Sequence, residues 1–150
     1  MPTAAHHPIF CAIDTTDLAQ ARRLADAAVA AGFGLKLGKE FFTAHGPRGV
    51  LAVRPESVPL FLDLKFHDIP NTVAGAVRAA AEIMRPTFLT VHAAGGATML
   101  AAAAEAAAKS GSARPGILAV TVLTSLDDGD LAATGVATPV AAQVRRLASL

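Results

Sequence analysis

At 150 residues, 53% hydrophobic and 17% charged, the chain has the size and composition of one globular domain, taken as the single unit 1–150. A formal net charge of +1 offers no extended field for nucleic acid or an anionic membrane. The lone Cys11, in the apolar run 8-PIFCAI-13, cannot close an internal disulfide; it reads as a buried small hydrophobe in a protein of a reducing, cytoplasmic compartment.

The opening MPTAAHHP lacks the basic residues and apolar core of a signal peptide, so export is not indicated. Strand-like apolar runs follow near 8–13, 33–37, 60–65, 87–92 and 117–123, mostly separated by segments with helical spacing. The first helix is capped by Thr16 or Asp17, carries the stripe Ala21, Leu24, Ala25 and Ala28, and ends at Gly32. A second is expected around 47–54 from Gly46-Pro47. A third follows Pro70 with Val73, Val77, Ala80 and Met84 on one stripe, and Asn71 available as its cap. A fourth follows Gly95-Gly96 and stops near Gly111. Residues 86–104 carry no Asp, Glu, Lys or Arg, yet Pro86, His92, three threonines and the glycine pair make them a strand, a turn and a helix rather than a membrane span. Ser110 to Gly116 reads as a polar loop. Thr138-Pro139 opens a last helix, inside which the chain is expected to reach Leu150.

Strands alternating with helices predict βα units and a parallel sheet, either doubly wound or part of a (β/α)8 barrel. Periodicity does not choose between them; the polar residues do. Asp14, Lys36, Asp63, Lys65, His92 and Thr124 each fall near the C-terminal end of a predicted strand, where barrel enzymes build their active sites. No G-x-G-x-x-G follows the first strand, so the phosphate fingerprint of a dinucleotide fold is missing. Walker loops, nucleophile elbows and paired-cysteine metal motifs are likewise not in the sequence. The fold class is therefore α/β, a TIM (β/α)8 barrel with about five of its eight units in this chain.

The stretch 61-FLDLKFHDIPNTV-73 is the most informative. With a side-chain period of two, Phe61, Asp63 and Lys65 share one face and Leu62, Leu64 and Phe66 the other. As a structural ion pair, Asp63 and Lys65 would be a poor source of stability, because burying such charges costs several kcal/mol per ion unless the pairing is very good. A cluster that adds Lys36 and Asp68 instead has the character of prepared electrostatics. His67 lies on the opposite parity from Lys65 and suits packing or a subunit contact; His92 suits a satisfied core histidine better than a residue of the barrel mouth.

FLDLKFHDIPNTV, together with 35-LKLGKEFF-42 and 117-ILAVTVLTS-125, resembles the orotidine 5′-phosphate decarboxylase family, whose members make UMP in pyrimidine biosynthesis. The likeness runs from about Ile9 to the end of the chain, and the long motif is far more specific than a bare D-x-K-x-x-D. The resemblance implies a cytoplasmic, homodimeric barrel lyase that uses no metal and no organic cofactor. It implies that Lys65 matches the proton donor and that Lys36, Asp63 and Asp68 complete an alternating charged network. Asp68 and Thr72 match residues that reach into the neighbouring subunit's site. Asp14 and Lys36 match groups near the ribose, Asp63 belongs with the substrate contacts, and Thr124 matches a contact near the pyrimidine. Further strands bearing a glutamine and an arginine for the phosphate are expected beyond this sequence. Ala94 stands in HAAGG where relatives often have serine, at a position with no catalytic role.

Chemistry makes these roles coherent. Loss of CO2 from C6 of the pyrimidine leaves a carbanion with no imine or metal to delocalise it, so a fixed ammonium is the useful partner. Unit charges about 4 Å apart interact by on the order of 4 kcal/mol at an effective dielectric of 20, enough for the flanking carboxylates to hold such an ammonium in place. Two other readings compete. Magnesium-dependent sugar-phosphate decarboxylases or aldolases of the same superfamily share D-x-K-x-x-D but carry a metal-binding glutamate at the second strand, where Lys36 stands here and would repel the cation. A noncatalytic half-barrel is the other, since a barrel typically has eight strands and about 250 residues.

Overall fold

The structure, a computed structural model, describes residues 9–150. The N-terminal MPTAAHH and Pro8, the first residue of the first predicted strand, lie outside the described residues. Five strands alternate with helices: β1 (Phe10–Ile13), α1 (Leu18–Ala30), β2 (Gly34–Gly38), α2 (Lys39–Val53), β3 (Leu60–Phe66), α3 (Pro70–Met84), β4 (Phe88–His92), α4 (Gly96–Ala108) and β5 (Gly116–Val120). Two further helices follow, α5 (Asp128–Ala133) and α6 (Val140–Ala148).

The strands form one sheet in chain order, β1-β2-β3-β4-β5, with every pairing parallel. A doubly wound sheet reverses its order at a switch point, and this one does not. Because parallel crossovers are right-handed almost without exception, strands laid down in sequence order carry all their helices on one face. The sheet is thus a five-strand arc of a TIM barrel. Leu35, Leu37, Leu60, Leu62, Leu89 and Val91 are fully buried on the helix-facing side, against Ala21, Val50, Val77 and Met99. The opposite side, which lines the barrel interior, is only half-buried; there Phe10, Phe61 and Phe88 meet edge to face with centroids 5.7–6.1 Å apart.

Several local expectations need correction. Asp17, not Thr16, caps α1, accepting the Gln20 N–H at 2.9 Å. Leu24 leaves the predicted stripe and is exposed, while Ala21, Ala25 and Ala28 are buried. The second helix starts eight residues early, at Lys39 rather than 47, and is broken at Gly46, whose φ of 58° glycine tolerates without a Cβ penalty. Its first half followed from no capping side chain, since Gly38 supplies none. Ile69 rather than Asn71 precedes α3, with Pro70 at its first turn; Asn71 is exposed within that turn. α4 ends at Ala108, near Gly111 as expected. β5 ends at Val120, short of residue 123. The helix α5 was not expected; Asp127 and Asp130 cap it reciprocally. α6 has Pro139 as its N-cap and ends at Ala148, before the chain does. Cys11 is partly rather than fully buried. Among the described residues, no helix is long and apolar enough to cross a membrane.

Candidate active site

The C-terminal rim of the sheet gathers the charged side chains. Asp14 follows β1, Lys36 rises from β2, and Asp63 and Lys65 come from β3; all four line one cleft of about 180 Å³, together with Lys39 and Glu40 at the start of α2. Asp63 is its centre. Its Oδ1 accepts from Lys65 Nζ at 2.7 Å and from Thr90 Oγ1 at 2.9 Å, and its Oδ2 accepts from Lys36 Nζ at 3.5 Å. The Asp63 side chain is 15% exposed and each lysine 27%, so the group is shielded but open to a ligand. Burial pushes the Asp63 carboxyl upward, but hydrogen bonds from Lys65 and Thr90 and the charges of Lys65 and Lys36 outweigh it and hold the group below the ordinary carboxylate value.

The backbone explains how two charges fit into a parallel ladder. Leu62 pairs with Leu89, but the next pairing is Phe66 with Val91, so β3 bulges between them. Within the bulge Lys65 has φ 51°, a left-handed conformation that costs a lysine roughly 1–3 kcal/mol. The strict alternation expected for 61–66 therefore ends before Phe66, which is half-buried instead of sharing the full burial of Leu62 and Leu64.

Other candidate residues stand apart from the cleft. Asp68 is exposed in the β3–α3 connection, where its Oδ1 accepts the Ile69 N–H at 2.7 Å, and it does not join the Asp63 cluster within this chain. Thr72 is exposed in the first turn of α3. Thr124 lies in a turn beyond the end of β5 and is exposed, so its expected place at a strand terminus is corrected to a loop. His67 is exposed, with its ring centroid 5.4 Å from that of half-buried His92 at the end of β4. Burial lowers the His92 value, with His67, Lys39 and Lys65 adding to the effect against a smaller opposing pull from Asp63. His92 thus belongs to the rim rather than the core. Thr90 was not anticipated from sequence, although a threonine sharing the parity of His92 in 88-FLTVH-92 was the available signal. Among the described residues no three His, Cys, Asp or Glu side chains cluster where they could hold a metal ion.

Comparison with known proteins places this geometry. The sequence pattern described as "Orotidine 5'-phosphate decarboxylase / HUMPS family" matches residues 7–150. The chain belongs to the orotidine 5′-phosphate decarboxylase / HUMPS family. A relative named orotidine 5′-phosphate decarboxylase from Rhodospirillum rubrum is 54% identical, covering 100% of this chain and 63% of the relative. One of the same name from Thermobifida fusca is 51% identical over 95% of this chain and 59% of its own length. The chain thus spans about three fifths of these relatives. Among solved structures, orotidine 5′-phosphate decarboxylase from Lactobacillus acidophilus superposes with a TM-score of 0.79 at 32% identity, over 94% of this chain and 65% of that one. An uncharacterized conserved protein from Geobacillus kaustophilus superposes with a TM-score of 0.83 at 33% identity, over 95% of this chain and 67% of the other. Both matches take in the five-strand arc as part of a larger chain.

Proposed function

We propose that this chain carries the catalytic residues of a cofactor-independent lyase that converts orotidine 5′-phosphate to UMP and CO2 in pyrimidine biosynthesis. The observation that carries the reading is the Lys36–Asp63–Lys65 cluster in a cleft at the rim of the sheet, within a family whose relatives at about half identity bear that enzyme's name. In this reading the bond from C6 to the carboxylate breaks, CO2 leaves, and the electron pair stays on C6. Lys65 Nζ stabilises that pair and then delivers a proton to it. Asp63 holds the Lys65 ammonium at 2.7 Å, and Lys36 and Asp14 bind toward the ribose. Thr124, in the turn beyond β5, is the proposed pyrimidine contact.

The proposal includes a cytoplasmic homodimer with shared sites, in which Asp68 and Thr72 act in the neighbouring subunit; their exposure on the β3–α3 side and their separation from the cleft of their own chain support it. Residues 1–150 are taken as the N-terminal part of one barrel domain. The magnesium-dependent alternative is disfavoured because Lys36 Nζ lies 3.5 Å from Asp63 Oδ2, where a second cation would be repelled.

The test is the ultraviolet change as orotidine 5′-phosphate becomes UMP, followed with the complete protein in the presence and absence of a chelator. Turnover that survives chelation supports the reading; no turnover, or turnover abolished by chelation, refutes it. For the shared site, an inactive Lys65→Ala subunit mixed with an inactive Asp68→Ala subunit should regain activity, because one hybrid site then holds both native residues. Mixed dimers that form and stay inactive would rule out sharing.

A further inference from the structure

Thr90 is the buried polar side chain among the described residues, 2% exposed in an otherwise apolar stretch of β4. A threonine hydroxyl has one hydrogen to give and lone pairs to accept. Both are used. Oγ1 accepts the Lys65 backbone N–H at 2.8 Å and donates to Asp63 Oδ1 at 2.9 Å. The N–H it receives belongs to the bulge, where β3 has lost register with β4 and Lys65 sits at φ 51°. Without this acceptor the Lys65 N–H would be an orphan donor, and a buried unpaired donor costs more than a typical hydrogen bond contributes. The carboxylate that receives the hydroxyl proton is the same one that holds Lys65 Nζ at 2.7 Å. One side chain therefore fixes the lysine at both its backbone and, through Asp63, its ammonium.

We infer that Thr90 is a positioning residue for the decarboxylation: its hydroxyl locks the bulged backbone of Lys65 and the carboxylate of Asp63 into the one arrangement that aims the ammonium into the cleft. The inference rests on the function proposed above for Lys65, but its geometric content does not. Bound in this way, Lys65 starts from a fixed position when charge develops on the substrate, and preorganisation of that kind acts on turnover more than on affinity. Asp63 also faces Lys36 from β2, with Asp14 after β1, Lys39 and Glu40 from α2, and His67 and His92 at the same rim, so any change in its titration must be read against these groups held constant.

Thr90→Val removes the hydroxyl at nearly constant shape, Thr90→Ala removes it with a smaller side chain should the valine variant not fold, and Thr90→Ser keeps it. All are made in the complete protein. In the valine or alanine variant the expected result is a fall in kcat of about tenfold or more with KM changed less than about threefold, the split of an interaction realised in the transition state. The acid limb of the rate profile and the Asp63 carboxyl, followed by carbon NMR, should both move to higher pH, because a hydrogen bond to the charged form is lost. Exchange of the Lys65 amide hydrogen should accelerate. Thr90→Ser should restore all of these toward wild type. Wild-type kcat, Asp63 titration and Lys65 amide protection in a folded valine or alanine variant would overturn the inference. If the wild-type protein does not decarboxylate orotidine 5′-phosphate, the proposed function fails on its own, while the Asp63 titration and Lys65 exchange still decide the role of Thr90.

Discussion

β3 and β5 are comparable as sequence, two apolar runs of the same parallel sheet, and they end in different physical situations. Leu60, Leu62 and Leu64 of β3 are buried on the helix-facing side, whereas Ile117, on the same side of β5, is only half-buried. Leucine and isoleucine are equally apolar. β3 has hydrogen-bonded neighbours on either side, β2 and β4, while β5 pairs with β4 alone among the described residues. The same difference governs the polar residues. Asp63 can sit charged in the sheet because β2 brings Lys36 and β4 brings Thr90 to it, and among the described residues no such pair of partners flanks Thr124 beyond β5. Among the described residues, a charge flanked by partners from two neighbouring strands becomes part of a site, and a loop residue with none stays in water.

That contrast is easiest to break through stability. In residues 1–150, Leu62→Ala should cost about 2–5 kcal/mol, the range for emptying a closely packed leucine site. Ile117→Ala should cost less, about 1–2 kcal/mol, since part of its side chain is already wet. Urea denaturation of the two variants reads the difference, and equal losses would mean that β5 is packed as tightly as β3.

A smaller effect is expected from acid. The folded Asp63 carboxyl titrates below its ordinary value of 3.8, so its contribution is complete above that pH and is lost as pH falls through the folded value. The stability gap between wild type and Asp63→Asn, from thermal melts, should hold steady from pH 7 to 5 and shrink toward pH 3; a gap that widens in acid would contradict the favourable pairing at β3.

The smallest effect belongs to His92. Its folded value lies below 6.5, which means that the unfolded chain takes up the proton first; the contribution is present above pH 6.5 and declines as pH falls through the folded value. Between pH 7.5 and 5 the melting temperature of wild type should drop more than that of His92→Gln. Identical slopes would remove His92 from the rim electrostatics.

Much of the fold was legible because it is written as alternation. The five strand runs and the helices α1 and α3 follow from apolar spacing, α4 and α6 from the glycine pair and the Thr138-Pro139 pair that open them, and chain-order parallel pairing follows from βα repetition once the polar residues mark one rim. The boundaries were less legible where a backbone conformation rather than a side chain decides them. The break at Gly46 and the early start of α2 have no capping residue to announce them, and α5 depends on an Asp127–Asp130 box whose signal is short. In the site, Lys36, Asp63 and Lys65 were legible because charges in an apolar strand need a reason. Thr90 was not, because a threonine is an ordinary strand residue until a bulge opposite leaves an N–H for it to receive. Asp68 and Thr72 are exposed and stand apart from the cleft of their own chain, and nothing local in the sequence sets them aside.

The central claim is that Lys65 supplies the proton to the carbanion, and it is tested most directly by the kcat of Lys65→Ala in the complete protein, with circular dichroism confirming the fold. The account predicts turnover of orotidine 5′-phosphate reduced by about a hundredfold or more, a barrier rise of at least about 2.7 kcal/mol, with binding affected less. A folded variant that keeps more than about a tenth of wild-type turnover, a barrier change under about 1.4 kcal/mol, would contradict it.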